Sequence, residues 1–211
     1  GQPMHAFDLD KIKGNVSVRP AIKGEKIKVI DGSEKILDEE MLVIADDRGP
    51  IAVAGVMGGL ETEVSMSTRN ILLESAWFDP ISVRRTARKL AMSSESSYRF
   101  ERKVDASMVL PASNRAASLI LKTSGGSVDG LAQSGSADIK KISLGYSPSK
   151  ANVVLNLEIS VSRQKEILSA LGFEVSEKDN GFTVTVPSFR RDIIQEADII
   201  EEVARINGYD M

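Results

Sequence analysis

Residues 70–105 read NILLESAWFDPISVRRTARKLAMSSESSYRFERKVD, and the rest of the chain is organised around them. The apolar run Ile71–Leu72–Leu73 is long enough for a buried strand, and Glu74 puts a carboxylate directly on its end. Asp79–Pro80 then supplies an N-cap and a proline whose missing N–H costs nothing in a first helical turn. Val83, Ala87, Leu90 and Ala91 recur at helical spacing, with Arg84, Arg85, Arg88 and Lys89 on the remaining surface. A loop of mostly small hydroxyl residues, Ser93 to Ser97, leads to Tyr98–Arg99–Phe100–Glu101–Arg102. From Arg84 to Lys103 seven basic residues stand against two acidic ones, in a chain whose net charge is −3. A local cation excess beside a carboxylate points to a site for something both anionic and polar.

At 211 residues and 42 % hydrophobic content, the chain can bury one ordinary core and a second, smaller one. No apolar run approaches the roughly 20 residues of a membrane span, and no charged-then-apolar leader is present, so no membrane partner is expected. The absence of cysteine excludes disulfides and thiolate chemistry and fits a reducing cytoplasm. One histidine, His5, excludes polyhistidine metal sites. The opening Gly1–Gln2–Pro3 gives the chain the look of a piece of something longer.

Ahead of the central stretch, Gly1 to Asp8 is a Gly/Pro-punctuated entry, and Val16 to Arg19 alternates as a strand does. Ile27 to Ile30, Asp31–Gly32 and Ser33 to Leu37 form a hairpin signal, because Asp-Gly accepts the positive φ angles of a tight turn. Met41 to Ala45 reads as a strand turned at Asp46–Gly49, and Ile51 to Met57 as one buried run ending on Gly58–Gly59. Adjacent glycines at a strand end permit close backbone approach to a ligand, and equally make a plain tight turn.

After it, Ser107 to Thr123 has helical periodicity along Met108, Ala112, Ala116, Leu119 and Ile120, with Pro111 marking either the helix start or a kink. Lys140 to Tyr146 reads as a strand. Charge then divides the chain: residues 1–145 carry net +1 and residues 146–211 net −4. The second segment reads as a short helix over Ser149–Leu155, a helix capped by Ser160 and stopped at Gly172, a hairpin turned at Asp179–Asn180–Gly181, and a closing helix from Glu196 to Asn207. The expected class is α+β: a mixed, antiparallel, β-rich domain over residues 1–145, then a small winged-helix-like domain over residues 146–211. The second domain's net negative charge argues against DNA binding.

GQPMHAFDLD, AGVMGG, NILLESAWFDPISVRRTARKL, SSYRFERKVD, SFRRD and EADIIEEVARINGYD, in this order across essentially the whole chain, resemble the β subunits of bacterial phenylalanyl-tRNA synthetases. The resemblance implies that residues 1–145 are an editing domain lacking its first residues. It also implies that the ligase active site lies elsewhere, in a heterotetramer of two α and two β chains that charges tRNA(Phe) with phenylalanine using ATP not bound here. Editing means hydrolysis of tyrosine mischarged on tRNA(Phe). A pocket shaped for phenylalanine tolerates an added hydroxyl, whereas a site that hydrogen-bonds the hydroxyl penalises its loss by roughly 10⁴–10⁵.

By resemblance Glu74 accepts the tyrosyl hydroxyl, His5 and Gly58 line the same pocket, and Ser94 and Ser96 lie on the loop that seats the amino acid. The family commonly has Thr and Ala at those two serine positions and Gly where this chain has Lys103. Asp192, Asp198, Glu201 and Glu202 match positions assigned to Mg²⁺ near the α subunit; three of them share one helix face, and hard oxygen ligands suit that ion, though without the α subunit the site is expected to be weak or empty. Other readings stand beside these. Glu74 is a core carboxylate paired with Arg99 or Arg102, His5 is structural, the acidic residues satisfy a helix dipole, and Arg84, Arg85, Arg88 and Lys89 are either tRNA contacts or a solvated face. No nucleophile–base–orienter triad is legible. The expected chemistry is a water held near Gly58 and Gly59, whose N–H groups would stabilise the oxyanion. The alternative function is a non-catalytic scaffold that positions tRNA and the α subunit.

Overall fold

Alternating apolar residues and turn chemistry build the first part of the chain. The computed structural model describes residues 1–136, 141–178 and 180–208, and two compact units emerge, Gly1–Ala137 and Asp138–Met211. In chain order the first holds β1 (Met4–Asp8), β2 (Ser17–Pro20), β3 (Lys26–Lys28), β4 (Glu34–Ile36), β5 (Leu42–Ala45), β6 (Pro50–Val53), β7 (Met57–Gly58), β8 (Ile71–Ser75), α1 (Pro80–Lys89), α2 (Glu95–Phe100) and α3 (Val109–Ser124). The second holds β9 (Ser143–Tyr146), α4 (Pro148–Leu155), α5 (Val161–Ala170), β10 (Glu174–Lys178), β11 (Gly181–Thr185) and α6 (Glu196–Asn207). The fold is α+β, with every paired strand antiparallel. The charge division at 145/146 falls inside β9, which pairs with β11, so the compact unit begins before the composition changes.

In the first unit β2-β5-β6-β7 form one sheet, β3-β4 a hairpin and β1-β8 a separate two-stranded ribbon. The Asp31–Gly32 hairpin forms with a longer loop than a two-residue turn: Gly32 N–H donates to the Val29 carbonyl at 2.8 Å, and Gly32 takes φ +85°. Ile51–Met57 is a hairpin rather than one strand. It reverses at Gly55, whose φ is +70° and whose missing Cβ leaves room for Val83, Phe78 and Phe100. Phe78 and Phe100 meet edge to face at 5.1 Å, so this turn is where the sheet receives α1 and α2. Val29, Val43, Val53, Val56, Leu37 and Phe7 make the centre of the core.

Asp79 caps α1 as expected, accepting Ser82 N–H at 2.8 Å, and Val83 and Ala87 face inward. Ala91 departs from the expected helical stripe: it leaves the helix at φ +51° and is exposed. The hydroxyl-rich loop is largely helix, because Ser94 and Ser97 exchange side-chain-to-backbone hydrogen bonds in a capping box that starts α2. Pro111 stands in the first turn of α3, resolving its position in favour of a helix start. No residue of α3 is buried, so its apolar stripe is only partly covered where it packs on β8. β8 itself is half-buried rather than a core strand.

The second unit has the sheet order β10-β11-β9 with α4, α5 and α6 packed on it around Leu168, Val184, Ile193, Ile199 and Val203. Ser147 and Ser160 cap α4 and α5, and Gly172 ends α5 at φ +87°. Val161, the first residue of α5, is 57 % exposed, while Ile167 and Leu168 face the core. Asp179 of the expected turn and Lys140 of the expected strand lie outside the described residues. Fully buried Gln164 ties the unit together: its amide donates to Pro148 O, Asn152 Oδ1 and Ile159 O, and its oxygen accepts the Tyr146 hydroxyl. With both polar atoms of its amide hydrogen-bonded, the cost of desolvating this core side chain is offset.

Lys103 occupies φ +70°, a left-handed conformation that costs a residue with a Cβ about 1–2 kcal/mol. Lys103→Gly is expected to raise the unfolding free energy by up to about 1 kcal/mol after the entropy of the added glycine is subtracted. The check is the urea midpoint at unchanged m-value, with Lys103→Ala, which keeps the Cβ, remaining near wild type.

Candidate functional site

The ribbon β1-β8 places His5 directly opposite Glu74. Because side chains alternate along a strand, this pair shares one face with Phe7 and Leu72, while Met4, Ala6 and Asp8 share the other with Ser75, Leu73 and Ile71. Ser75 donates its hydroxyl to the Val109 carbonyl at 2.7 Å, which identifies the second face as the one toward α3. The His5–Glu74 face therefore looks inward. The His5 ring stands edge-on to Phe7, with centroids 4.5 Å apart, and lies against Gly58, where an added Cβ would come within 2.5 Å of Nε2. Only glycine fits beneath that ring.

Neither member of the pair is satisfied internally. His5 Nε2 is buried without a hydrogen-bond partner. Glu74 makes no hydrogen bond or ion pair with the described residues; Arg99 is bound to Glu95 at 2.5 Å and Arg102 to Glu101, so neither is its partner. Burial pushes the Glu74 carboxyl up to about 7. Burial pushes the His5 imidazole down, opposed by the charge of Glu63. Near neutral pH the site thus presents a neutral imidazole beside a carboxyl that titrates, two groups able to exchange hydrogen bonds with a hydroxyl.

Gly59 does not play the expected part. Its N–H donates to the Ile51 carbonyl at 2.8 Å, closing the β6-β7 ladder, and is not available to an oxyanion. Gly58 contributes bare backbone surface, and its carbonyl accepts Ile30 N–H at 3.1 Å. Ser94 Oγ donates to the Val56 carbonyl at 2.6 Å while capping α2, and Ser96 Oγ donates to Gly55 O at 3.3 Å. These hydroxyls dock α2 onto the turn that leads into Gly58; their hydrogen bonds do not run to Glu74 or His5. Three further side chains among the described residues carry buried, unpartnered polar atoms: Gln2 Oε1, Ser33 Oγ and Trp77 Nε1. Trp77 is the one tryptophan and follows Glu74 by three residues, the only signal that could have drawn attention to it.

Of the four cations on α1, all exposed, Lys89 is held by Asp38 at 2.6 Å and Glu40 at 3.2 Å. Arg84, Arg85 and Arg88 have no hydrogen-bond or ion-pair partner among the described residues. A cleft of about 300 Å³ opens between α1 and α2, lined by Arg88, Met92, Ser93, Tyr98 and Glu101 among others. It is separate from the residues of the His5–Glu74 pair.

Residues 1–125 match the family model of the B3/4 domain. The chain belongs to the B3/4 domain family. Residues 144–209 match the tRNA synthetase B5 domain. Similar proteins include the phenylalanine–tRNA ligase beta subunits of Carboxydothermus hydrogenoformans (46 % identical, 99 % of this chain and 26 % of that protein) and Protochlamydia amoebophila (44 %, 100 % and 27 %). The same holds for that of Aquifex aeolicus (45 %, 100 % and 27 %). The chain thus spans about a quarter of the length of these relatives. A solved N-terminal fragment of the phenylalanyl-tRNA synthetase beta subunit from Pyrococcus horikoshii shares the fold, with a TM-score of 0.51 at 16 % identity, over 95 % of this chain and 58 % of that one. The B3/4 unit therefore contains the His5–Glu74 pair, and the B5 unit the acidic residues considered for metal.

Those acidic residues do not form the expected Mg²⁺ site. Asp192 is clamped by Arg190, and Glu202, almost fully buried, is held by Arg190 at 2.8 Å and Arg205 at 2.6 Å. Asp198 accepts Ile194 and Gln195 N–H at 2.9 and 3.1 Å at the start of α6, and Glu201 is exposed. Among the described residues no three His, Cys, Asp or Glu converge as metal ligands. Guanidinium groups and backbone N–H already occupy the oxygens a hard cation would need, so this arrangement does not fit Mg²⁺. Hydrogen bonds from Arg190 and then Arg205 hold the Glu202 carboxyl down at about 2, and Asp192 and Glu202 raise the Arg190 guanidinium.

Two pH dependences follow. A carboxyl raised to about 7 when folded stabilises the fold below about pH 4.5, and that contribution is lost as pH rises to about 7. At most about 3 kcal/mol is involved. His5, lowered on folding, acts in the opposite sense, so the measurement is the difference between wild type and Glu74→Gln in urea unfolding from pH 4.5 to 8; wild type is expected to lose stability relative to the variant across that range. Glu202 contributes stability above pH 4.5 that is lost as pH falls toward 2. Glu202→Gln is expected to cost about 2 kcal/mol at pH 7, less than a wholly buried pair because Arg205 is partly exposed, and to flatten the acid limb of the stability profile.

Proposed function

We propose that the B3/4 unit, as part of a phenylalanine–tRNA ligase β subunit, hydrolyses tyrosine mischarged on tRNA(Phe). The observation that carries this reading is the inward His5–Glu74 pair: the buried His5 Nε2 and the partly buried Glu74 carboxyl stand on opposite strands of one ribbon with no hydrogen-bond partner among the described residues. A protein gains nothing in stability by holding such groups unmatched, so a ligand that matches them is the economical account. Glu74 takes the phenolic hydroxyl. Phenylalanine would leave the carboxyl unmatched, and this penalty is the basis of discrimination.

The chemistry is positioning. An aminoacyl ester is activated already, so the water oxygen bonds to the ester carbon, the bond to the ribose oxygen breaks, and a proton from water ends on that ribose oxygen. His5 Nε2, neutral and unpartnered, orients the water or the ester. The neighbouring ribose hydroxyl assists. The matching of the chain to ligase β subunits supports the further reading that it works with an α subunit in an assembly of two α and two β chains in the cytoplasm. Phenylalanine, ATP and Mg²⁺ are then handled by the whole ligase at a site outside this chain.

The test is deacylation of Tyr-tRNA(Phe) by the intact ligase. Glu74→Ala is expected to lower the rate at least about 100-fold with the fold unchanged by circular dichroism, and Gly58→Ala to lower it by displacing the His5 ring. Charging with phenylalanine should stay at the wild-type rate in both. Wild-type deacylation by Glu74→Ala would remove the reading and leave the scaffold alternative, in which the chain positions tRNA and the α subunit without chemistry.

A further inference from the structure

We propose that the cleft between α1 and α2 is a subsite for one nucleotide of a single-stranded RNA end, with Tyr98 as the stacking surface and Arg88 and Arg84 as the phosphate contacts. The proposal rests on the editing reading only for the identity of the RNA. Its own evidence is local.

Tyr98 is an aromatic side chain left 53 % exposed at the edge of a cleft of about 300 Å³, the lower end of the size range of small-ligand sites. One face of its ring is covered by the Arg102 guanidinium, 3.7 Å from the centroid. Arg102 is itself held by Glu101 and by the Tyr98 carbonyl at 3.0 Å, so the ring is backed by a fixed cation, while Tyr98 itself is exposed and lines the cleft. A backed, exposed ring takes a base without needing to read which base it is.

Across the cleft, Arg88 stands on α1, and Arg84 is one turn earlier on the same side of the helix. Like charges four residues apart destabilise a helix. The chain removes this conflict at Lys89 with Asp38 and Glu40, and leaves it in place at Arg84 and Arg88. In a chain of net charge −3, retaining unneutralised guanidinium groups beside an exposed aromatic ring favours a ligand that is anionic and flat at once. A phosphate-linked base has both properties. Duplex RNA presents phosphate without free base faces, and an acidic peptide presents charge without a ring to stack. Ala91, at φ +51° just past the end of α1, lines the space between the two helices.

The test uses this chain and a fluorescein-labelled seven-nucleotide single-stranded RNA ending in CCA, read by anisotropy, with a blunt RNA duplex and polyglutamate as competitors. Tyr98→Ala is expected to weaken binding about tenfold, the size of a lost base–aromatic stack, and Tyr98→Phe to bind as wild type. Arg88→Gln and Arg84→Gln should each weaken binding and reduce the slope of log K against log salt by about 0.7. Tyr98 is largely exposed, so thermal midpoints should match wild type. Unchanged binding by Tyr98→Ala and Arg88→Gln overturns the proposal, as does competition by the duplex or by polyglutamate equal to that by unlabelled single strand. Glu74→Ala separates the two readings: it is expected to bind the RNA as wild type while failing to deacylate. In the intact ligase Tyr98→Ala should raise KM for Tyr-tRNA(Phe) with kcat retained. RNA binding without any wild-type deacylation would remove the editing reading and leave the subsite standing.

Discussion

The register of β1 on β8 is the constraint on which the site depends. Sliding one strand by a single residue would turn Glu74 toward α3 and leave a serine or leucine facing the core. Phe7 opposes that slip, being almost completely buried on the same face as His5. So does Ser75, whose hydroxyl is fixed to the first turn of α3 on the opposite face. An apolar anchor and a polar anchor on alternate faces thus hold a titrating carboxyl in a place where it has no partner of its own.

Glycines carry this arrangement into the sheet. Gly58 is bare so that the His5 ring can lie on the backbone, and Gly55 is bare so that Val83 and Phe78 can reach the turn before it. The same short hairpin therefore bears on the imidazole at one end and on α1 and α2 at the other. Ser94 and Ser96 strengthen the second contact by hydrogen-bonding the carbonyls of Val56 and Gly55. Their role is to fix the base of a helix pair whose outer surface carries Arg88 and Tyr98.

The two units use charge differently. In the B5 unit, Asp192, Glu202, Arg190 and Arg205 neutralise one another, and Asp198 satisfies N–H groups at the start of α6. Charge at these residues is matched within the unit. In the B3/4 unit the Glu74 carboxyl, His5 Nε2 and the exposed guanidinium groups of Arg84, Arg85 and Arg88 have no partner among the described residues. A buried polar group without a partner weakens a fold, and the His5–Glu74 ribbon holds one in His5 Nε2, which is the physical basis for looking for function there.

Much of this was legible in residue order. Asp79–Pro80, Ser160 and Gly172 announced their helix boundaries because capping is a local event. The hairpin at Asp31–Gly32 was equally plain, since backbone freedom belongs to the glycine itself. Glu74 stood out as a carboxylate on the end of an apolar run, whereas His5 and Gly58 were drawn to the same pocket only by the family resemblance. The sequence alone could not say that Glu74 escapes Arg99 and Arg102, because which ions meet depends on where two helices point. Nor could it say that the Gly59 N–H is occupied by Ile51, since a hydrogen bond between strands belongs to the pair. Asp198, Glu201 and Glu202 share a face of α6 at the spacing a metal would use, yet guanidinium groups reach Glu202, and Asp192 ahead of the helix, first. Local conformation follows from neighbours in the chain. The choice of partner for a polar group follows from register and packing between segments far apart in it, and only the tertiary structure settles that competition.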